Sequence, residues 1–469
     1  MSPPPLSRLD SYFQITERGS TIGREIRGGF ATFFTMAYIL VLNPIILGGA
    51  TDINGDQLSF PQLVTVTALV AAVMTVLMGI TANLPLALAA GLGINAMVAF
   101  QIAPRMTWSE AMGLVVLEGI ILCLLSATGF RESVMNAIPM ALKQAIGVGI
   151  GLFIALIGFV DAGFVTGHEG APPLSLGAGG ELAGWPALVF CFGVLLTLAL
   201  LARRTKGAIL ISILATTVLA MIINAVADID EAAWGLSVPS FPDDIVASPD
   251  FGLLGQFSLF GAFGEISLIT VVLLVFTLFL TDFFDTMGTA VAVSGEAGLL
   301  DERGRVPRLG RMLFVDGLAA AAGGAASASS NTSYIESAAG VGEGARTGFA
   351  NLVTGGLFAL ALFFSPLAAV VPSQAAAPAL VAVGFLMMLQ VGAINWADHT
   401  LAIPAFVTIV VMPFTYSITN GIGAGFIAYV LMKVVTGRVR EVNWLVWITA
   451  ALFAVYFAID PVRQLFGVS

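Results

Sequence analysis

Long apolar stretches alternate with short polar breaks along almost the whole chain. Apolar runs of roughly 17 to 25 residues, each enough to cross about 30 Å of hydrocarbon, recur from Ile26 to Ile459. This pattern predicts an all-α polytopic membrane protein with about fourteen transmembrane segments. The predicted segments lie near residues 26–48, 60–81, 84–103, 108–128, 136–160, 183–202, 206–227, 262–293, 311–325, 327–342, 346–370, 374–392, 400–416 and 419–436.

The polar breaks between the apolar runs differ in charge, since some are basic and others are acidic. Four breaks are basic, and by the positive-inside rule they face the cytoplasm. They contain Arg18, Arg24 and Arg27; Arg203, Arg204 and Lys206; Arg303, Arg305, Arg308 and Arg311; and Lys433, Arg438 and Arg440. The loops 160–183 and 228–260 contain no Lys or Arg and are predicted to face outward. Their acidic residues are Asp161, Glu169, Glu181, Asp228, Asp230, Glu231, Asp243, Asp244 and Asp250.

This sorting of charge divides the spans into two sets of seven. An odd number of crossings carries the chain from a cytoplasmic N-terminal segment, residues 1–25, to the acidic loop that begins at residue 228. The second set therefore enters the membrane from the opposite side. Seven spans followed by seven inverted spans predict the inverted repeat found in many secondary transporters.

Composition removes soluble protein classes from consideration. The chain has 469 residues, of which 58% are hydrophobic and 10% are charged, whereas a soluble domain has about 25% charged residues. Cys123 and Cys191 lie in apolar runs, so no disulfide framework is expected. The N-terminal residues lack the apolar core and cleavage site of a signal peptide, so the first span is expected to direct insertion.

The third segment of each half differs from its neighbours. The run from Pro85 through Asn95 and the run from Ala326 through Glu336 are both rich in small residues and carry a polar residue about midway. Such runs suit an extended stretch followed by a half-helix, which is tolerated at membrane depth where it lines a cavity. Interrupted segments at matching positions of two halves indicate a substrate site.

Two aspartates occupy the first span of the second half. Asp282 and Asp285 are three residues apart, so they share one face of a helix. An ionisable group inside a span costs at least about 2.5 to 3.5 kcal/mol unless it is solvated or paired. Both are therefore expected to face the protein interior, and intramembrane carboxylates are functional by default.

Glu336 has two interpretations that do not exclude each other. Ser333 and Glu336 fit a Ser-x-x-Glu capping box, which would open a half-helix. The same half-helix would direct backbone N–H groups and a carboxylate into one cavity. Asn95 occupies the matching place in the other half, as either a ligand contact or an interhelical hydrogen bond.

The remaining polar residues carry weaker signals. Glu118, Lys143 and Asp316 fall inside apolar runs, where structural roles are expected. His168 and His399 are placed in loops without clustered ligands, so no metal site and no cofactor are expected. The chain has no GxxxxGK[ST] sequence, which excludes a P-loop ATPase as the energy source.

Five motifs in chain order carry a family resemblance. They are Gly93-Ile-Asn95-Ala, Asp282-Phe-Phe-Asp285-Thr-x-Gly-Thr, Ser330-Asn-Thr-Ser-Tyr334-Ile-Glu336-Ser-Ala-Ala-Gly340-Val, Arg346-Thr-Gly348 and Met412-Pro-Phe-Thr-Tyr-Ser-Ile-Thr419-x-Gly421-Ile. Together they resemble the azaguanine-type adenine/guanine/hypoxanthine permeases of the nucleobase/ascorbate transporter superfamily. The resemblance runs from about Leu9 to the last apolar stretch.

The resemblance implies a division into two domains. A core domain, residues 26–128 and 262–370, would hold the base, and a gate domain, residues 136–227 and 374–436, would stand against it. Spans 3 and 10 would carry short strands with the base between them. The last stretch, residues 443–460, is expected to be a cytoplasmic interfacial helix rather than a fifteenth span.

The resemblance also implies which residues form the site. Asp282, Glu336 and Asn95 are expected to contact the base, with Asp285 close by and with Tyr334 and Asn331 supplied by the same motif as Glu336. One of the carboxyls of Asp282 and Glu336 is expected to carry a coupling proton. The expected partners are a purine base, a proton and the lipid bilayer, without nucleic acid, and the sequence leaves open whether the chain forms a homodimer.

The sequence therefore predicts a bacterial inner-membrane transporter that imports purine bases with protons by alternating access. Transport of xanthine, of uracil or of a small anion on the same fold remains the alternative. An anion site would favour positive groups at the half-helix ends, and the carboxylates argue against it. An intramembrane enzyme would need a nucleophile with a base, or a metal, and no His or Cys is positioned for either.

Overall fold

The fold is that of a computed structural model, which describes residues 8–128, 137–167, 173–177, 180–227, 229–234, 237–242, 244–302 and 305–465. Several residues discussed above fall outside this part of the chain, namely His168, Glu169, Asp228, Asp243 and Arg303.

Helices make up most of the described chain. In chain order they are α1 Arg8–Phe13, α2 Ile22–Met36, α3 Ile39–Gly48, α4 Phe60–Ala82, α5 Leu92–Met97, α6 Trp108–Thr128, α7 Met140–Asp161, α8 Trp185–Ala202, α9 Ala208–Ala227, α10 Ala262–Glu265, α11 Leu268–Glu296, α12 Leu309–Ala325, α13 Ser337–Gly342, α14 Phe349–Ala361, α15 Ser365–Ala369, α16 Ser373–Met388, α17 His399–Phe414, α18 Ile418–Val435 and α19 Trp444–Leu465. His399, which the sequence places in a loop, is the first residue of α17.

Ten stretches within the described residues are long and apolar enough to cross a membrane. One of them joins α2 and α3 into a stretch of 27 residues, and another is the 29-residue helix α11. Helices of this length cover about 30 Å of hydrocarbon at 1.5 Å per residue. The chain is therefore a multi-pass membrane protein.

Two small sheets interrupt the helical pattern. Strand β1 is Leu88–Ala90, β2 is Val165–Gly167, β3 is Leu174–Leu176 and β4 is Asn331–Ser333. β2 and β3 form a hairpin, whereas β1 and β4 pair antiparallel across the two halves of the chain. In that pair Leu88 lies opposite Ser333 and Ala90 lies opposite Asn331, and every residue of both strands is buried.

Helices contact one another in two groups. The first comprises α2 to α6 and α11 to α14, in which α4 packs on α14 and α6 packs on α12. The second comprises α7 to α9 and α16 to α18, in which α7 packs on both α16 and α17. Contacts between the groups are sparse and involve chiefly α5, α11 and α2. Each group combines helices from both halves of the sequence.

Glycine brings α4 and the start of α14 into backbone contact. A Cβ added to Gly79 would lie 2.4 Å from the carbonyl oxygen of Gly348, and one added to Gly348 would lie 2.0 Å from the carbonyl oxygen of Gly79. Membrane helices approach closely at small residues, because packing and not water exclusion drives their association. This contact holds α14 against α4, the helix that packs on β1.

The C-terminal helix α19 packs along α18 and α11. Phe453 stacks on Phe426 with ring centroids 6.4 Å apart, and it also fills the space above Gly423. Farther along α19, the hydroxyl of Tyr456 accepts a hydrogen bond from Arg105 Nη1 at 3.3 Å. These contacts pack the middle turns of α19 against the middle turns of α18 and bring Tyr456 close to Arg105.

We expect Gly79→Ala to destabilise the protein by about 1–3 kcal/mol, because the added methyl group overpacks the contact with the Gly348 carbonyl. Thermal unfolding of the purified, detergent-solubilised protein measures this as a lower melting temperature. Gly356→Ala is the matched control, since it lies inside α14 and its added Cβ meets nothing within 4 Å. Equal melting temperatures for Gly79→Ala and the parent would contradict close packing at this contact.

Candidate functional site

The candidate site surrounds the β1–β4 pair. Beyond the paired residues, the Gly91 N–H donates to the Ser330 carbonyl at 2.9 Å and the Tyr334 N–H donates to the Ala87 carbonyl at 2.9 Å. The chain enters β4 through Ser327 and Ser329, whose φ angles are +58° and +66°. Non-glycine residues seldom adopt this left-handed conformation, and such residues concentrate at functional sites.

Asp282 lies midway along α11 and is fully buried. Its Oδ2 accepts a hydrogen bond from the Ser330 hydroxyl at 3.1 Å, whereas its Oδ1 is buried without a hydrogen-bond partner. A buried, unsatisfied carboxylate oxygen costs more free energy than a neutral polar atom does. The free Oδ1 is therefore available to a hydrogen-bond donor that the protein itself does not supply.

Asn95 is the second buried group without partners. It lies on α5 and is fully buried, and neither its Nδ2 nor its Oδ1 forms a hydrogen bond. The interhelical hydrogen bond considered as an alternative role is thus not formed. An amide offers two donors and an acceptor, so Asn95 can bind a ligand edge that presents both kinds of atom.

Glu336 is half-buried at the junction of β4 and α13. One of its carboxylate oxygens, Oε1, accepts a hydrogen bond from the Tyr38 hydroxyl. The predicted capping box is wrong, because the N-cap of α13 is Glu336 itself and forms no side-chain capping bond. Ser333 belongs to β4, and its hydroxyl donates to Asp316 Oδ1 at 3.0 Å instead.

Asp285 lies one turn beyond Asp282 on α11, and its side chain is exposed. Its carboxyl is close enough to Asp282 and Glu336 for their charges to interact. Beside it, the Lys143 Nζ of α7 lies 5.4 Å from the centre of the Phe284 ring, within range of a cation–π interaction. This contact between α7 and α11 is one of the few that join the two helix groups.

Tyr334 and Asn331 are held by the strand pair. The Tyr334 hydroxyl donates to the Ala90 carbonyl at 2.5 Å, which ties β4 to β1. Asn331 Nδ2 donates to the Ser329 carbonyl at 3.3 Å, and its buried Oδ1 has no partner. Tyr334 therefore positions the strands, and Asn331 keeps one acceptor free.

The structure adds residues that sequence reasoning did not assign to the site. Tyr38 reaches Glu336 from the short break between α2 and α3. Glu118 Oε2 accepts from the same Ser330 hydroxyl that contacts Asp282, at 3.3 Å. Asp316 Oδ1 also accepts from the Thr286 hydroxyl at 2.9 Å. The sequence signal for Tyr38 and Glu118 was that each is a polar residue inside an apolar run.

Apart from Lys143, the basic residues that form salt bridges within the described residues pair elsewhere. Lys433 pairs with Glu441 at 2.5 Å and Arg438 with Asp398 at 3.6 Å, close to the end of α18. A hydrogen bond from Thr400, with the charge of Arg438 in support, holds the pKa of Asp398 below its usual value. No group of His, Cys, Asp and Glu within the described residues could hold a metal ion. The site is therefore rich in acceptors and poor in positive charge.

Comparisons with known proteins identify the family to which the chain belongs. The sequence profile described as Permease family matches residues 23–424. Guanine/hypoxanthine permease PbuG of Bacillus subtilis is 40% identical over 464 residues, covering 96% of this chain and 99% of the relative. Adenine permease AdeQ of Escherichia coli is 38% identical over 451 residues, covering 96% and 95%.

Solved structures share the fold at low sequence identity. The transmembrane domain of the cyanobacterial bicarbonate transporter BicA superposes with a TM-score of 0.62 at 15% identity, covering 85% of this chain and 97% of that domain. The structure of SLC26A9 gives a TM-score of 0.62 at 13% identity, covering 92% of this chain and 68% of that one. Both are fold relatives.

The family resemblance inferred from the five motifs is confirmed by the profile and by these relatives, which match over nearly their whole length. They are permeases and not enzymes. The chain is thus a member of this permease family and a membrane transporter.

Proposed function

We propose that this protein imports purine bases, such as adenine, guanine and hypoxanthine, together with protons. The observation that supports the substrate most directly is the pair of buried side chains, Asn95 and Asp282, with polar atoms that have no partner in the protein. They lie at the strand pair of a permease whose relatives are named for adenine and for guanine/hypoxanthine. A second substrate, xanthine or uracil, remains the alternative.

The chemistry of a purine edge suits these free atoms. Asp282 Oδ1 and the second carboxylate oxygen of Glu336 can accept hydrogen bonds from ring or exocyclic N–H groups. Asn95 can donate to a ring nitrogen or carbonyl and accept from an N–H beside it. Hydrogen bonds to an ionised group are stronger than neutral ones, so the carboxylates would contribute most of the polar affinity.

A small anion fits this site poorly. BicA, named as a bicarbonate transporter, shares the fold, but a likeness at 15% identity does not carry its substrate over. Asp282, Asp285 and Glu336 would repel an anion, and no salt bridge within the described residues brings Lys or Arg to them. A neutral base that donates hydrogen bonds suits these carboxylates.

The carboxylates also support proton coupling. Ionised groups in a medium of low dielectric repel one another strongly, so neighbouring carboxyls such as Asp282 and Asp285 are stabilised when one of them binds a proton. We assign the coupling proton to the site that includes Asp282 and Glu336. Their position in contact with the base would make base binding and protonation mutually favourable.

We further propose fourteen transmembrane segments in a 7+7 inverted repeat, with segments 3 and 10 interrupted by β1 and β4. The two helix groups correspond to a core domain, residues 26–128 and 262–370, and a gate domain, residues 136–227 and 374–436. Sparse contact between the groups supports movement of one against the other. Alternating access would expose the site to each side in turn.

The N-terminus is proposed to be cytoplasmic, in the inner membrane of a bacterium. Lys206 pairs with Glu343, which places two segments assigned to the cytoplasm beside each other. On the side assigned to the exterior, Gln62 Nε2 donates to Asp250 Oδ2 at 3.0 Å.

Topology is tested by single cysteines in a variant with Cys123 and Cys191 replaced by serine. A cysteine at Asp244 should react with an impermeant thiol reagent added to intact cells, because its loop is acidic and faces outward. A cysteine at Arg305 should react only after the membrane is permeabilised. Equal labelling at both positions in intact cells, or the reverse order, would overturn the inverted arrangement.

Substrate binding is tested by Glu336→Gln. The amide retains an acceptor for Tyr38 but places an NH₂ group or a neutral oxygen before the base, removing a charge-assisted bond that contributes about 1.5 to 3 kcal/mol. We expect the dissociation constant for purine to rise on the order of ten- to a hundredfold. Calorimetry with adenine, guanine, hypoxanthine and xanthine in parallel measures the effect and the preference among bases.

Glu296→Gln is the control for Glu336→Gln, since Glu296 is an exposed residue at the end of α11. Both variants should insert and purify like the parent. Parent-like affinity in Glu336→Gln would remove this residue from the site and leave Asp282 as the principal acceptor.

The coupling ion is tested by uptake into proteoliposomes. An imposed proton gradient, acidic outside, should drive accumulation of labelled hypoxanthine, because the site binds protons and contains no nucleotide-binding loop. A protonophore should abolish the accumulation and leave counterflow exchange of base intact. Accumulation that follows a sodium gradient at constant pH would show that sodium, and not the proton, is the coupling ion.

A further inference from the structure

A second buried carboxyl, Glu118, lies beside Asp282. Glu118 is on α6, is fully buried, and shares the Ser330 hydroxyl with Asp282. Ser330 Oγ lies 3.3 Å from Glu118 Oε2 and 3.1 Å from Asp282 Oδ2. The remaining oxygens, Glu118 Oε1 and Asp282 Oδ1, are both buried and unpartnered.

The Ser330 hydroxyl has one hydrogen but contacts two carboxylate oxygens. A hydroxyl group has one hydrogen and can donate to one acceptor at a time. If both contacts of Ser330 Oγ are hydrogen bonds, the second requires a carboxyl O–H that donates to Ser330. A proton on one carboxyl of the Glu118–Asp282 pair satisfies both contacts.

No positive charge within the described residues replaces that proton. The salt bridges there join other side chains, at the ends of helices and in loops. The ionisable groups that face Glu118 are Asp282 and Asp316, and Asp285 also faces Asp282. All of them are acidic, so each ionised neighbour favours the protonated form of the others.

Asp316 is better supplied with donors than this pair. Its Oδ1 accepts from the hydroxyls of Thr286 and Ser333, at 2.9 and 3.0 Å. Two hydroxyl donors stabilise an ionised carboxylate. Glu118, in contrast, has the shared Ser330 hydroxyl as its hydrogen-bond donor within the described residues, and its other oxygen has none. Within this cluster, the Glu118–Asp282 pair is accordingly the one that a proton would stabilise most.

We propose that Glu118 carries the coupling proton while ionised Asp282 binds the base, an inference that rests on the proposed proton symport. When an N–H of the base donates to Asp282, the ionised form of Asp282 is stabilised and the shared proton moves to Glu118. A base that covers the pair also excludes water from it, and two ionised carboxyls repel each other strongly in a medium of low dielectric. The occupied pair therefore keeps its proton, whereas the empty, hydrated pair can release it. Base and proton then bind with positive cooperativity, which is the thermodynamic requirement of symport.

Glu118→Gln tests this role, because glutamine resembles the protonated residue and cannot release a proton. Purified parent and variant are compared in proteoliposomes that contain a trapped pH-sensitive dye. For the parent, added hypoxanthine should be followed by proton movement into the vesicles. For the variant, counterflow of labelled hypoxanthine should remain within about threefold of the parent, while hypoxanthine-driven proton movement is lost.

The pH dependence of binding gives a second readout. In the parent, hypoxanthine affinity should fall on the order of tenfold from about pH 6 to about pH 8, since base binding requires the proton. In Glu118→Gln the affinity should stay high at both pH values. Glu296→Gln, at the exposed end of α11, should keep the pH dependence of the parent.

The outcomes separate this proposal from the proposed function. Parent protein that exchanges hypoxanthine without moving protons would refute proton symport, and the assignment of Glu118 would fail with it. Proton movement per base equal to the parent in Glu118→Gln would refute Glu118 alone. Loss of exchange, binding and proton movement together would give Glu118 a structural role.

If Glu118→Gln does not fold, Glu118→Asp takes its place. A shorter carboxyl can still bind the proton but lies farther from Ser330, so proton coupling should persist with a shifted midpoint in the pH profile of binding. An unchanged midpoint in a folded Glu118→Asp protein would also overturn the proposal.

Discussion

A backbone that leaves the helical conformation inside a membrane must find hydrogen-bond partners within the protein. Here β1 and β4 supply those partners to each other, since Leu88 pairs with Ser333 and Ala90 with Asn331. Neither strand would be stable alone at this depth. The pairing joins the two halves of the chain at one place, and the packing of α4, α11 and α12 around it follows from that requirement.

The same pairing determines where the polar side chains lie. Ser330 immediately precedes β4 and Glu336 follows it, so the ends of a three-residue strand present a hydroxyl and a carboxylate to opposite neighbours. Asn95 follows β1 on α5 in the equivalent place of the first half. The strands therefore bring these donors and acceptors together at one place, whereas a continuous helix would spread them around its circumference.

Much of this arrangement could be predicted from the sequence, because apolar length and the sorting of Arg and Lys define the helices. The small-residue runs around Asn95 and Glu336 indicated where the helices are interrupted. The partners of these residues could not be predicted, since Tyr38 and Glu336 are separated by 298 positions. The capping prediction failed at Ser333 because its backbone pairs with Leu88 and its hydroxyl donates to Asp316. These are tertiary contacts, which a local sequence motif does not contain.

Each half of the chain supplies one strand of the pair, but the two halves differ in the polar side chains that they add. The first half contributes the amide of Asn95 and one carboxyl, Glu118, whereas the second contributes Asp282, Asp285 and Glu336. Acidic groups without nearby cations are unstable at membrane depth unless a proton or a hydrogen-bond donor neutralises them. Under the proposed function, a neutral base rich in N–H groups and a proton together would meet that need.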